Sequence, residues 1–455
     1  MTDPVREFFA RPVEPIPPED GTFAVIAARA RRRRMRTVTA LATVALVVGG
    51  LATGTVLFAG NPLEDRLTPA GQRSPDRATP SPSAPASPLA SHVPSPPTAS
   101  PVPLATGGTA GALGLPAGGP IPAGFRIVST TTTTHDLTYL LGTAPCGSPP
   151  CTSVLRKDGL RWHGIPAPPV DVASAGRPEG PETVRDVRFG TPRDGWAYGG
   201  ALWSTHDGGA RWHAVDVGGN VTDLASDGIT VYAVVSSCGD GTGACTLRLR
   251  STPVGRDAWH DVTGVEESGS TGHVSVGSGT AAASFDSGTV YVRSRGGVWA
   301  PARDLCGGTA PTVVASASSV RVFALCGDAA AGSLYFDVKF TDDRGGSWTT
   351  VTRGSEGLQL SGGPFVSVTA ASSTVLVAAS GSPDLGGRVM VSRDAGQSWQ
   401  PAGGGMPDRS GAAGGGWRYV GASSRDRILA LAADPNESYW VSHDAGLSWG
   451  PVVPH

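Results

Sequence analysis

The chain has 455 residues, and its 36 Lys and Arg against 38 Asp and Glu leave a formal net charge of −2. That balance excludes the basic footprint of a nucleic-acid-binding chain, so no nucleic-acid partner is expected. With 64 Gly, 39 Pro and only 16% charged residues, the composition argues for many turns between short strands and against a long-helix protein.

In chain order, residues 1–36 form a short N-terminal segment that ends in Arg29, Arg31, Arg32, Arg33, Arg34 and Arg36. Thr37 to Gly60 is an uncharged run. At 1.5 Å per residue it is long enough to cross a bilayer core of ~30 Å as one transmembrane helix. Arginines on its leading flank predict a cytoplasmic N-terminus and an extracytoplasmic remainder, and hence a single-pass protein of the cell membrane. A cleaved signal peptide fits less well, because the lead is long and no Ala-x-Ala site follows. Residues 61–122 are dominated by Pro, Ser, Ala and Thr, as in Thr79-Pro80-Ser81-Pro82-Ser83-Ala84-Pro85. They carry no apolar period to bury and predict a disordered, partly polyproline-like stalk.

Residues 123–455 carry one turn pattern four times. It reads Thr205-His-Asp207-Gly-Gly209-Ala-Arg-Trp212, Thr341-Asp-Asp343-Arg-Gly345-Gly-Ser-Trp348, Ser392-Arg-Asp394-Ala-Gly396-Gln-Ser-Trp399 and Ser442-His-Asp444-Ala-Gly446-Leu-Ser-Trp449. Asp and Ser/Thr can bond turn backbone, Gly supplies positive φ, and the Trp is expected to begin the next strand and pack inward. Degenerate copies surround Trp162, Trp259 and Trp299, so the seven tryptophans recur at intervals of 50, 47, 40, 49, 51 and 50. Between them, Val221–Ala225, Val231–Val235, Leu247–Arg250 and Trp259–Val262 read as four short strands, and Val366–Ala370, Val375–Ala379, Val389–Ser392 and Trp399–Pro401 repeat the order. A period of 40–50 residues with four strands per unit predicts an all-β fold, a seven-bladed β-propeller. The fourth unit has the shortest interval and the most eroded turn.

Six cysteines, Cys146, Cys151, Cys238, Cys245, Cys306 and Cys326, all follow the expected membrane span, which favours disulfides. Cys146 with Cys151 and Cys238 with Cys245 flank Gly/Pro-rich turns at equivalent places in two units, leaving Cys306 with Cys326 as the expected third pair, one of fifteen possible connectivities. No His stands at ligand spacing from these cysteines, so neither a metal site nor a cofactor is expected. His206 and His443 fall inside the repeated turns and read as solvated turn residues. No P-loop, Gly-x-Ser-x-Gly elbow, His-Glu-x-x-His or dinucleotide fingerprint is found in a suitable context.

The four turns resemble the Asp-box, or BNR, repeats of sialidases, sortilin-type receptors and the photosystem II assembly factors. Gly195-Trp196-Ala-Tyr-Gly199-Gly-Ala-Leu-Trp203-Ser-Thr-His-Asp207-Gly-Gly209 is most similar to the assembly-factor group. The resemblance spans residues 124–455 and implies a sialidase-like propeller, but the box serves enzymes and non-enzymes alike. A sialidase-like exo-glycosidase would need three arginines on a substrate carboxylate, a Tyr paired with Glu, and an Asp. Phe125-Arg126-Ile127-Val128 resembles the opening motif of that family, which makes Arg126 the candidate catalytic residue, although Val stands where the family has Pro. Glu179, Glu182, Glu266, Glu267, Glu356 and Glu437 are the glutamates after residue 123, and none is plainly axial; Tyr419 is the best late tyrosine. The expected role is therefore a non-enzymatic binding or assembly module for an extracytoplasmic protein or glycan, with the glycosidase as the alternative.

Overall fold

The computed structural model describes Gly111 and residues 113–455, except for 134–136, 148–149, 174–179, 239–244, 278, 303–304, 307–311, 331–332, 353–356, 362–364, 382–385 and 410–414. The expected membrane span at 37–60 and nearly all of the expected stalk lie outside the described residues. Among the described residues no helix is long and apolar enough to cross a membrane.

Seven antiparallel sheets follow one another along the chain, each a meander in which every strand pairs with the next. Blade 1 contains Arg126–Thr132, Thr138–Ala144, Cys151–Asp158 and Arg161–Ile165, and blade 2 contains Asp186–Phe189, Gly195–Tyr198, Trp203–Thr205 and His213–Ala214. Blade 3 runs through Asn220–Ser226, Thr230–Ser237, Cys245–Pro253 and His260–Gly269. Blade 4 follows with Gly272–Gly277, Thr280–Phe285, Val290–Arg293 and Trp299–Ala302. Blade 5 has Thr312–Ser316, Val322–Ala330, Ser333–Thr341 and Thr349–Thr352, with Leu358–Ser361 added to its third strand. Blade 6 consists of Phe365–Ala370, Leu376–Gly381, Val389–Ser392 and Gln400–Pro401, and blade 7 of Trp417–Ala422, Ile428–Ala432, Tyr439–Ser442 and Gly450–Val452. First strands of successive blades lie side by side, which puts them around the axis. The unit with the eroded turn, blade 4, is complete.

All seven repeat tryptophans stand at the start of an outermost strand, and each joins a different apolar cluster between its own blade and the one before it. Trp212 closes blades 1 and 2, Trp259 blades 2 and 3, Trp299 blades 3 and 4, and Trp348 blades 4 and 5. Trp399 closes blades 5 and 6, Trp449 blades 6 and 7, and Trp162 blades 7 and 1. The indoles therefore pack sideways between sheets, whereas the turn pattern alone suggested inward packing. A single blade exposes two apolar faces, and only a neighbour on each side removes them from water.

The repeated turn works as its residue types require. Ser442 Oγ donates to Asp444 Oδ1 (2.8 Å) and accepts from Gly446 N (2.8 Å), while Asp444 Oδ1 accepts from Ser448 N (2.8 Å). The same bonds recur at Thr341/Asp343/Gly345, Ser392/Asp394/Gly396 and Thr205/Asp207/Gly209. Bonds from Thr341 and Ser347 hold the Asp343 carboxyl down to about 2, and those from Ser448 and Ser442 do the same for Asp444, also about 2. The box glycine adds an inter-blade constraint. A Cβ on Gly396 would meet Val338 of blade 5 at 2.7 Å, and one on Gly446 would meet Val391 of blade 6 at 3.1 Å. Gly209 and Gly345 face Ile165 and Val292 in the same way.

Among the described residues the ring closes without a shared strand. Ile127 and Asn436 exchange backbone bonds (2.7 and 3.2 Å), Arg126 pairs with Glu437 at 3.2 Å, and Trp162 packs with Leu429 and Tyr439. Ahead of blade 1, Gly119 bonds Gly164 along the outermost strand and Leu115 is buried against blades 1 and 2. Three disulfides, Cys146–Cys151, Cys238–Cys245 and Cys306–Cys326, are formed. The first two join the second and third strands of blades 1 and 3, and the last ties the connection after blade 4 to blade 5.

Candidate functional site: a charged cluster on the propeller axis

Blade 2 opens on Arg185-Asp186-Val187-Arg188-Phe189, where strand alternation turns Val187 and Phe189 into the apolar cluster with blade 1 and leaves Asp186 and Arg188 on the other face. Asp186 is 9% exposed. Its Oδ1 accepts from Arg418 Nη2 of blade 7 (2.6 Å) and Ser129 Oγ of blade 1 (3.0 Å), and its Oδ2 from Arg185 Nε (2.9 Å). Arg418 Nη2 also reaches the Arg185 carbonyl (3.1 Å). The Arg188 guanidinium stacks on the Tyr419 ring with its centre 4.5 Å from the centroid, and its Nη1 donates to the Thr130 carbonyl (3.4 Å). These contacts join blade 2 to blade 7 over the first strand of blade 1, which places them on the axial side of the sheets.

A second carboxylate extends the group. Asp223, in the first strand of blade 3, accepts from Tyr198 Oη (3.4 Å) and from Val274 N of blade 4 (3.0 Å), with His273 Nδ1 at 3.7 Å. Three arginines, two aspartates and two tyrosines, most of them on or beside first strands, thus share one region.

Burial by itself would raise the Asp186 carboxyl, but the guanidiniums of Arg418, Arg185 and Arg188 outweigh it and hold the group well below the usual carboxylate range. Burial pushes Arg418 down, with the Arg185 charge acting the same way. Burial likewise raises the phenols of Tyr198 and Tyr419, so both stay neutral at physiological pH. A cluster of arginines is suited to clamping a carboxylate. Here the carboxylate is supplied by the chain itself, as Asp186.

Arg126 does not join this group. Its side chain is 52% exposed and pairs with Glu437 at the seam between blades 1 and 7. Tyr419 is brought to the axis. Among the described residues a tyrosine–glutamate contact, Tyr291 Oη to Glu267 Oε1 (2.8 Å), joins the third strand of blade 4 to the outermost strand of blade 3, away from the axis. His443 is exposed, whereas His206 is clamped: its Nδ1 lies 2.9 Å from Asp194 Oδ1 and its Nε2 3.1 Å from Asp257 Oδ2 of blade 3. The sixteen box residues sit at the four turns and make no contribution to the axial group. Asp186, Arg185, Arg188, Asp223 and Arg418 escape a reading of the sequence, because Asp186 and Arg418 are 232 positions apart. The available signal is the charged run Arg185-Asp186-Val187-Arg188 at the start of the unit's first strand.

Fold and turn geometry together define an Asp-box β-propeller of seven blades. No family model matches the chain, and no curated protein matches it either. Solved structures of similar fold include YCF48 bound to a D1 peptide, at 15% identity over 72% of this chain and 95% of that one, TM-score 0.45. They also include YCF48 from Cyanidioschyzon merolae, at 16% identity over 72% and 98%, TM-score 0.44. A GH74 xyloglucanase from Xanthomonas campestris matches at 13% identity over 73% of this chain and 55% of its own, TM-score 0.45. Likeness at this level carries no argument about activity or partner.

Proposed function

We propose that this protein is a membrane-anchored propeller that works outside the cell by holding a protein or glycan partner, and that it turns over no substrate. The observation that carries the reading is Asp186, which occupies the arginine cluster that a substrate carboxylate would otherwise enter. With the carboxylate covalently part of the wall, the axis acts as a brace between blades 1, 2 and 7, and recognition falls to the faces and grooves. The anchor is read from the uncharged run 37–60 behind its arginine flank, and the stalk from the composition of 61–122.

A sialidase-like glycosidase is the second reading, favoured by the convergence of Arg185, Arg188 and Arg418 with the Tyr198–Asp223 contact. Incubating the full chain, solubilised in detergent, with a fluorogenic sialoside separates the two. No release above the protein-free rate is expected. Turnover that disappears in Arg418→Ala would establish the glycosidase instead. For the anchor, protease added to intact cells should digest the propeller and spare an epitope placed before residue 29.

A further inference from the structure

Blade 2 is built differently from its neighbours. Its outermost strand is only His213–Ala214, whereas that of blade 3 spans His260–Gly269. The connection leading into it makes a detour, in which Asp171–Val172 pairs in parallel with Thr183–Val184. Gly200 (φ +122°) lets this detour lie directly on blade 2, since a Cβ there would strike the Gly180 carbonyl. The short strand and the detour leave a groove of about 750 Å³ between them. That volume falls within the ~300–1,000 Å³ of typical ligand sites.

Much of the lining is apolar: Leu202 and Val217 are buried, Trp203 is half-buried, and Pro169 and Pro181 are exposed. The rim is acidic, with Asp171, Glu182 and Asp216 along it and no lysine, arginine or histidine among the described lining residues. Glu182 and Asp216 are exposed, and Asp216 uses one carboxylate oxygen on Gly218 N (2.8 Å). A groove lined by an indole and by carboxylates can attract a cation through the ring quadrupole and through opposite charge, while prolines and valines accept apolar neighbours.

We propose that this groove is a docking site for an extended segment of a partner protein that carries arginine or lysine between apolar residues. The cation lies over Trp203 with Glu182 and Asp216 around it, and the flanking apolar side chains lie against Pro169 and Pro181. The proposal deepens the binding reading and rests on it. It predicts rejection of acidic ligands, sialosides included, at this place.

The test is fluorescence anisotropy of the full chain in detergent with a labelled hexapeptide, acetyl-Pro-Val-Arg-Val-Arg-Pro-amide, beside the same peptide with both arginines replaced by glutamine. The arginine peptide should bind saturably and weaken as salt rises. The glutamine peptide should bind at least about ten-fold more weakly, a difference of ~1.4 kcal/mol. The Glu182→Gln/Asp216→Asn double variant should lose about ten-fold for the arginine peptide alone, and Trp203→Ala should weaken it as well. Should Trp203→Ala fail to fold, the double variant, altered only at exposed side chains, still decides the matter. Equal binding of the two peptides, an unaffected double variant, or no saturation up to about 1 mM would each overturn the docking site. Such a result without sialoside turnover removes this groove alone, whereas turnover removes the binding reading itself.

Discussion

Ala395 and Gly396, adjacent in one box turn, both take positive φ (62° and 90°), yet the structure asks opposite things of them. Ala395 bears a Cβ in a conformation that disfavours one, so Ala395→Gly should stabilise the protein by up to ~1 kcal/mol. Gly396 meets Val338 of the preceding blade, so Gly396→Ala should destabilise by ~2 kcal/mol through strain and overpacking. Urea unfolding of the two variants reads both signs, and two effects of the same sign would refute the turn analysis. His206 supplies a residue-scale pH dependence. Burial lowers its pKa, but the bonds to Asp194 and Asp257 prevail and the net shift is upward. The clamp therefore contributes fully below the unfolded histidine value, about 6.5, and fades as pH rises through the raised folded value. The stability difference between wild type and His206→Gln should shrink on going from pH 6 to pH 9. A difference that stays constant or grows would show that His206 is not held as the cation. Asp257 holds His206 from blade 3 and also accepts from Ser204 Oγ of blade 2 (2.7 Å).

At the scale of the element, the unit of stability is the interface between two blades. Trp449 is 5% exposed and packs with Val391 and Trp440 across blades 6 and 7, so Trp449→Ala should cost ~3–5 kcal/mol. Trp399, only partly buried, should cost less in the same assay, and the reverse order would contradict the packing. These elements were legible in the sequence because turn and tryptophan recur with a fixed period. The strands expected at Val221–Ala225 and Val366–Ala370 are present as Asn220–Ser226 and Phe365–Ala370. The sideways direction of the indoles was not legible, since one repeat read alone carries no information about the neighbour it covers. The groove on blade 2 escaped for a related reason, because it arises from a strand that is missing length rather than from a motif.

The propeller is a ring held twice, by seven tryptophan-closed interfaces outside and by a charged brace inside. The outer hold was readable as a period, but the brace was not, because Arg418 meets Asp186 only after the chain has gone round the ring. Ring closure joins Ile127 to Asn436 through backbone bonds, and the exposed Arg126–Glu437 pair at that seam adds little. The Asp186 carboxyl, held far down by its guanidiniums, contributes above the unfolded aspartate value of about 4 and is lost as pH falls below it. At neutral pH, removing its charge leaves Arg185, Arg188 and Arg418 crowded without their shared anion. The most direct measurement is urea unfolding of the Asp186→Asn variant beside the wild type at pH 7. If the axis is neutralised from within, the variant should lose ~3–5 kcal/mol. A loss under ~0.5 kcal/mol, the scale of an ordinary surface substitution, would mean that these arginines stand free for a ligand.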